Sequence, residues 1–137
     1  SFVYQSGLIM KPVFTAAKKS SARVVYAEGE DERVLRAVQV VVDEGLAKPI
    51  LIGRPEVVVP RLERNGLRIR PGEDFELVNP NSDPRYRKYW QTYYDLMQRK
   101  GVSVELAKRD VMRRTTLIAA LMVRLGDADA MICGTYA

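Results

Sequence analysis

Between residues 22 and 53 the hydrophobic period changes twice, and this change constrains the fold more than any other feature. "ARVVYA" (22–27) is a β-branched apolar run of strand length. "EDERVLRAVQVVVDEG" (30–45) then sets Val34, Leu35, Val38, Val41 and Val42 on one stripe of a helix, and Gly45 stands where such a helix ends. "KPILIG" (48–53) is again a short apolar run. Strand, helix, strand at this spacing requires a crossover. Crossovers of this kind are right-handed and join parallel strands. The spacing therefore predicts an α/β fold, a parallel sheet with helices on both faces.

The rest of the chain extends the alternation. "MKPVFTAAKK" (10–19) reads as a short helix with Val13, Phe14 and Ala17 on one side. "PEVVVPRLERNG" (55–66) begins with a proline suited to a first helical turn, and Pro60 predicts a kink or break inside it. "LRIR" and "DFELV" read as short strands around the Pro71-Gly72 turn. Asp83 and Pro84 are the expected N-cap and first residue of the longest helix. On that helix Tyr86, Tyr89, Trp90, Tyr93, Tyr94 and Met97 share one stripe, which predicts a face buried against the sheet, and Gly101 stops it. Ser103 caps a helix over 104–112, and Thr115 is the expected cap of "TLIAALMVRLG", whose apolar residues run nearly all round. "ADAMICG" (128–134) is the last strand.

Composition excludes several chemistries. The 137 residues suit one compact domain or a piece of a larger one. The absence of histidine removes Ser-His and Cys-His nucleophile pairs and every His-ligated metal site. A lone cysteine, Cys133, allows no internal disulfide, which fits a reducing cytosol, and without histidine it makes no structural zinc site. No apolar run approaches the roughly 20 residues of a membrane span. "SFVYQSGLIMKP" has neither the charged start nor the long apolar middle of a secretory signal. The net charge of +5 is dispersed along the chain, and no groove-reading motif accompanies it, which argues against a basic nucleic-acid-binding module.

In parallel sheets, ligands bind beyond the carboxyl ends of the strands. The candidate loops are therefore "EGEDE" after the first strand, "GRP" after the second and "CGTYA" after the last. "EGEDE" has one glycine and four carboxylates, so it complements a helix dipole and repels a pyrophosphate. Dinucleotide binding at this turn is rejected. In "GRP", Arg54 sits at a helix start where an anion could be met; an exposed loop arginine is the bland alternative. In "CGTYA", Gly134 and Thr135 offer a close backbone approach and a hydroxyl. Arg113-Arg114 ends a helix, and dipole complementarity explains it without a ligand.

Three stretches together resemble a known family. "VVYAEGEDERVLRAVQ" followed by "GLAKPILIG" is similar to the opening of phosphate acetyltransferases, and "ADAMICGT" to the strand and glycine turn before that family's ligand loop. "FVYQSGLIMKPVF" and "FELVNPNSDPRYRKYW" more narrowly resemble the transferase-like C-terminal domain of hybrid, multidomain NADP-dependent malic enzymes. The resemblance implies that residues 1–9 end a linker from the malic enzyme domain and that 10–137 form the N-terminal part of the transferase-like domain. It implies the first subdomain of an isocitrate/isopropylmalate dehydrogenase-like fold, a cytoplasmic homo-oligomer, and acetyl-CoA as an inhibiting effector. NADP and a divalent metal would serve malate oxidation in the malic enzyme domain of the same chain, with no cofactor here.

One residue bears on activity. The resemblance implies an arginine four residues before the glycine that ends the long helix, and here that residue is Met97, four before Gly101. An arginine offers a fixed planar cation to a phosphate or thioester oxygen; a methionine offers only soft apolar volume. The implied role is regulatory, ligand-sensing and oligomer-building. A working phosphate acetyltransferase is the alternative, disfavoured by Met97.

Overall fold

The computed structural model describes residues 21–134. Thus the helix expected over 10–19, the linker boundary at 9 and Thr135 lie outside the described residues. Four strands, β1 (Arg23–Tyr26), β2 (Lys48–Ile52), β3 (Glu76–Val78) and β4 (Ala130–Ile132), form one parallel sheet in the order β3-β2-β1-β4. Five helices connect them: α1 (Glu32–Asp43), α2 (Pro55–Arg64), α3 (Tyr86–Met97), α4 (Val104–Arg113) and α5 (Thr115–Arg124).

The period-2 alternation of the strands sorts the core into two layers. Val24 and Tyr26 of β1 and Leu51 of β2 face one side, packed with Val34, Leu35 and Val38 of α1 and Val58 and Leu62 of α2. Val25 of β1 and Ile50 and Ile52 of β2 face the other, packed with residues of α3, α4 and α5. The expected parallel sheet with helices on both faces is what forms. The chain runs outward from β1 through β2 to β3, then returns through α3–α5 to place β4 on the far side of β1. The direction of winding therefore reverses between β1 and β4.

Several local expectations hold. Gly45 has φ 64°, and the bonds from Gly45 to Val42 and from Leu46 to Val41 complete the backbone turn that closes α1. Ser103 accepts from the Leu106 N–H at 3.1 Å and caps α4.

Others need correction. "LRIR" is not a strand. The Arg68 and Ile69 amides both donate to Oε1 of buried Gln39, at 2.8 and 3.2 Å, so they are not available to a ladder. Pro60 does not break α2, which runs unbroken from Pro55 to Arg64. The ring removes one hydrogen bond on the exposed side, while Val58 and Leu62 hold the buried side on either flank. Asp83 does not cap α3. Its carboxylate takes the Arg85 amide at 2.8 Å and the Arg85 guanidinium at 3.0 Å, so 83–85 form a turn and the helix begins at Tyr86. Thr115 is the first residue of α5 and not its cap.

The aromatic stripe of α3 is core, but unevenly. Tyr89 and Tyr93 are buried, whereas Trp90 is half-buried, with the Lys108 ammonium 4.9 Å above its ring. The stripe meets α4 and α5 as well as the sheet, so one edge of it reaches solvent. Trp90→Ala should accordingly cost about 1–3 kcal/mol, below the 3–5 kcal/mol typical of a fully buried aromatic. Urea unfolding of the variant measures this; a loss at the upper value would mean that Trp90 is covered.

Candidate functional site

The loops after β1 and β2 meet at the carboxyl edge of the sheet because two glycines allow it. The Gly29 N–H bonds the Ile52 carbonyl at 3.1 Å, and a Cβ at Gly29 would lie 2.6 Å from that same oxygen. A Cβ at Gly53 would lie 2.9 Å from Val58 and 3.0 Å from the Glu30 side chain. "EGEDE" and "GRP" can thus lie against each other. Together with Pro80-Asn81 after β3 and the α4–α5 junction they enclose an open cleft of about 520 Å³.

Three carboxylates and three guanidinium groups border this cleft. Glu30 accepts from Arg54 at Nε (2.8 Å), at Nη2 (2.9 Å) and at the backbone N–H (2.8 Å). The Arg54 hydrogen bond holds the Glu30 carboxyl below the usual carboxylate range, and Glu30 in turn raises Arg54. Asp31 caps α1 by accepting from the Arg33 and Val34 amides. Burial pushes Asp31 up, but the Arg33 and Val34 contacts outweigh it and leave the carboxyl below its ordinary value. Arg61 donates to the Glu30 carbonyl. Arg113 faces the cleft from the end of α4 and makes no hydrogen bond or ion pair among the described residues.

The switch in winding between β1 and β4 is closed by a bond of its own. Glu28 at the end of β1 accepts the Gly134 N–H at 2.8 Å. Gly134 is therefore buried and engaged. Next to it Cys133 is exposed, with burial of its thiol raising the pKa. Among the described residues no cluster of acidic or cysteine side chains is arranged to hold a metal, and no helix is long and apolar enough to cross a membrane.

The expected site residues are thus separated. Arg54 lies in the cleft but is held by Glu30. Gly134 is tied to the same loop through Glu28. Met97 is half-buried against the aromatic and aliphatic core beneath α3 and is not among the residues lining the cleft. Sequence reasoning missed Arg61 and assigned Arg113 only to a helix dipole. Arg61 was open to discovery, since it follows Arg54 by seven residues, two helical turns along the same side. Arg113 was not, because only the packing of α4 beside the sheet brings it to the loops of β1 and β2.

A profile of the family described as phosphate acetyl/butaryl transferase matches residues 8–137. The chain is 60% identical over 134 residues to the NAD-dependent malic enzyme of Rhizobium meliloti (strain 1021), a match spanning 97% of this chain and 17% of that protein. It is 54% identical over 134 residues to the NADP-dependent malic enzyme of Escherichia coli (strain K12), spanning 98% of this chain and 18% of that one. In three dimensions it is similar to a phosphotransacetylase from Streptococcus pyogenes, with a TM-score of 0.74 at 25% identity, over 92% of this chain and 38% of the other. The chain therefore spans less than a fifth of the length of these malic enzymes.

Proposed function

The chain belongs to the phosphate acetyl/butaryl transferase family, and from that premise we propose that it is the phosphotransacetylase-like part of a multidomain malic enzyme, serving as an acetyl-CoA sensor and oligomer-building element. In this reading it is the first of two subdomains of an isocitrate/isopropylmalate dehydrogenase-like fold. Malate is oxidised and decarboxylated by the malic enzyme domain of the same chain, in the cytoplasm, with NADP and a divalent metal. Acetyl-CoA binds the transferase-like part and lowers that activity.

The observation that carries the regulatory reading is the environment of Met97. It packs against the core below α3, and Gly101, with φ 89°, closes the turn four residues later, which supports the register of the resemblance. A thioether there supplies no cation to a transferring acyl or phosphoryl group. Arg99 lies two residues on, exposed in the turn that follows α3.

Two measurements test the reading. Acetyl-CoA added to the full-length enzyme should lower malate oxidation, and deletion of this segment should abolish the inhibition; undiminished inhibition after deletion would overturn the sensor. In the transferase assay the full-length protein should form no acetyl-CoA from acetyl phosphate, and neither should Met97→Arg. Groups that act as a unit are strongly non-additive, so one restored cation lacks its positioned partners. Because Met97 is only half-buried and ends its helix, the new guanidinium can reach solvent, and the variant should fold with a loss of roughly 1–2 kcal/mol. Robust turnover from this single change would favour a working transferase over the sensor.

A further inference from the structure

The backbone of Glu28 is pinned on both sides. Ala27 before it donates its N–H to the Ile132 carbonyl of β4 at 3.0 Å, and Gly29 after it donates to the Ile52 carbonyl of β2 at 3.1 Å. The Glu28 carbonyl itself accepts the Asp31 N–H at 3.1 Å. A side chain on a backbone held in this way reaches a fixed place. There the Glu28 carboxylate meets the Gly134 N–H at 2.8 Å, across 106 residues of sequence.

The strand that leads to Gly134 is weakly specified by its own ladder. β4 has three residues, and β1 is its one neighbour among the described residues. The register runs from Val24 opposite Ala130 to Tyr26 opposite Ile132. Past Ile132 the N–H of buried Gly134 is taken by a side chain and not by a strand. A charged acceptor makes a stronger bond to an amide than a neutral one does. The turn stands where the winding reverses, which is where parallel sheets take their ligands. Its glycine lets a ligand come close to the backbone, so the placing of that backbone matters.

We propose that Glu28 is a positioning residue for the glycine turn after β4: its carboxylate sets where the Gly134 backbone stands relative to β1 and β2, and effector affinity depends on that placing. What the turn requires is an acceptor at a fixed reach, not a negative charge, and Glu28 itself need touch no ligand. For the ligand that reports it, the proposal rests on the acetyl-CoA reading above; for the placing of the turn it does not.

The test is hydrogen exchange in the full-length protein, read by mass spectrometry at the Gly134 amide from overlapping peptides. Glu28→Ala should speed exchange there at least about tenfold, the effect of losing one charge-assisted bond. Glu28→Asp keeps the charge but is one methylene too short, and it should behave as Glu28→Ala does. Glu28→Gln keeps the reach and an acceptor oxygen, and should stay within about threefold of the wild type. Peptides of α3 should exchange at the wild-type rate in all three variants, which separates a local change from a loss of folding. Inhibition of malate oxidation by acetyl-CoA is then compared in the same proteins. The half-inhibiting concentration should rise at least about threefold in Glu28→Ala and Glu28→Asp and return to the wild-type value in Glu28→Gln. Unchanged exchange in Glu28→Ala would overturn the positioning role, and so would a Glu28→Asp that matches the wild type while Glu28→Gln does not. Faster exchange with an unchanged half-inhibiting concentration would overturn the link to the effector. A wild type that acetyl-CoA does not inhibit would remove the sensor reading, and the exchange pattern would still decide for or against Glu28.

Discussion

Tyr89→Ala should be among the most damaging single substitutions in the chain. Tyr89 is 1% exposed, lies in the core between α3, α4, α5 and the sheet, and donates its hydroxyl to Asp127 at 2.8 Å. The Arg85 and Lys88 cations stand 5.8 and 5.7 Å from its ring centroid, and Lys88 pairs with the same Asp127. Truncation opens a cavity costing about 3–5 kcal/mol. It also takes from Asp127 a donor that helps hold its carboxyl below the ordinary range, against burial that pushes it up. A domain of this size has about 5–15 kcal/mol in total, so much of the stability goes. Tyr89→Phe isolates the hydroxyl and should cost only about 1–2 kcal/mol. Denaturant unfolding of both variants decides the matter; equal losses would mean that the hydroxyl, and not the ring, carries the effect.

Gly29→Ala should be the second large effect, and for a different reason. A methyl group there lies 2.6 Å from the Ile52 carbonyl oxygen, 2.9 Å from the Ile52 nitrogen and 2.9 Å from the Leu51 Cβ. Two of these are backbone atoms of a central strand and cannot rotate away. The substitution must therefore push the β1 loop off β2, stretching the Gly29–Ile52 hydrogen bond, at a cost of about 2–3 kcal/mol. It also shifts Glu28 and Glu30, and with them the Gly134 and Arg54 contacts those carboxylates hold. Gly45→Ala is the control. Its φ of 64° disfavours a side chain, but nothing lies within 4 Å of the new atom, so about 1 kcal/mol is expected. Comparable melting temperatures for the two variants would show that the loop, not the strand, gives way.

Local signals decided much of this protein. The β-branched runs at 22–27 and 48–53 and the stripe through Val34, Leu35, Val38 and Val41 specify their elements because the periods of strand and helix differ and each element must bury one face. Gly45, Gly101 and Ser103 act within a single turn of backbone, and so they could be read without knowing the fold. Motif order was likewise enough to place the chain in its family. What the sequence could not express was competition for the same polar atoms over distance. "LRIR" has the composition of a strand, but Gln39, some 30 residues earlier, takes two of its amides. Asp83 has the chemistry of a helix cap but takes the Arg85 amide two residues on and leaves α3 to start later. Trp90 and Tyr89 are neighbours on one stripe, and only the approach of α4 and α5 separates a half-exposed ring from a buried one. The cleft shows the same division. Arg54 was visible as a candidate because a proline-started helix follows it, yet whether it is free depends on Glu30, 24 residues away, and Arg113 joins it only through packing. Short-range steric and periodic preferences are carried by adjacent residues, whereas the partner of a charge is chosen by whichever group the folded chain brings within about 3 Å, and that is a property of the tertiary structure alone.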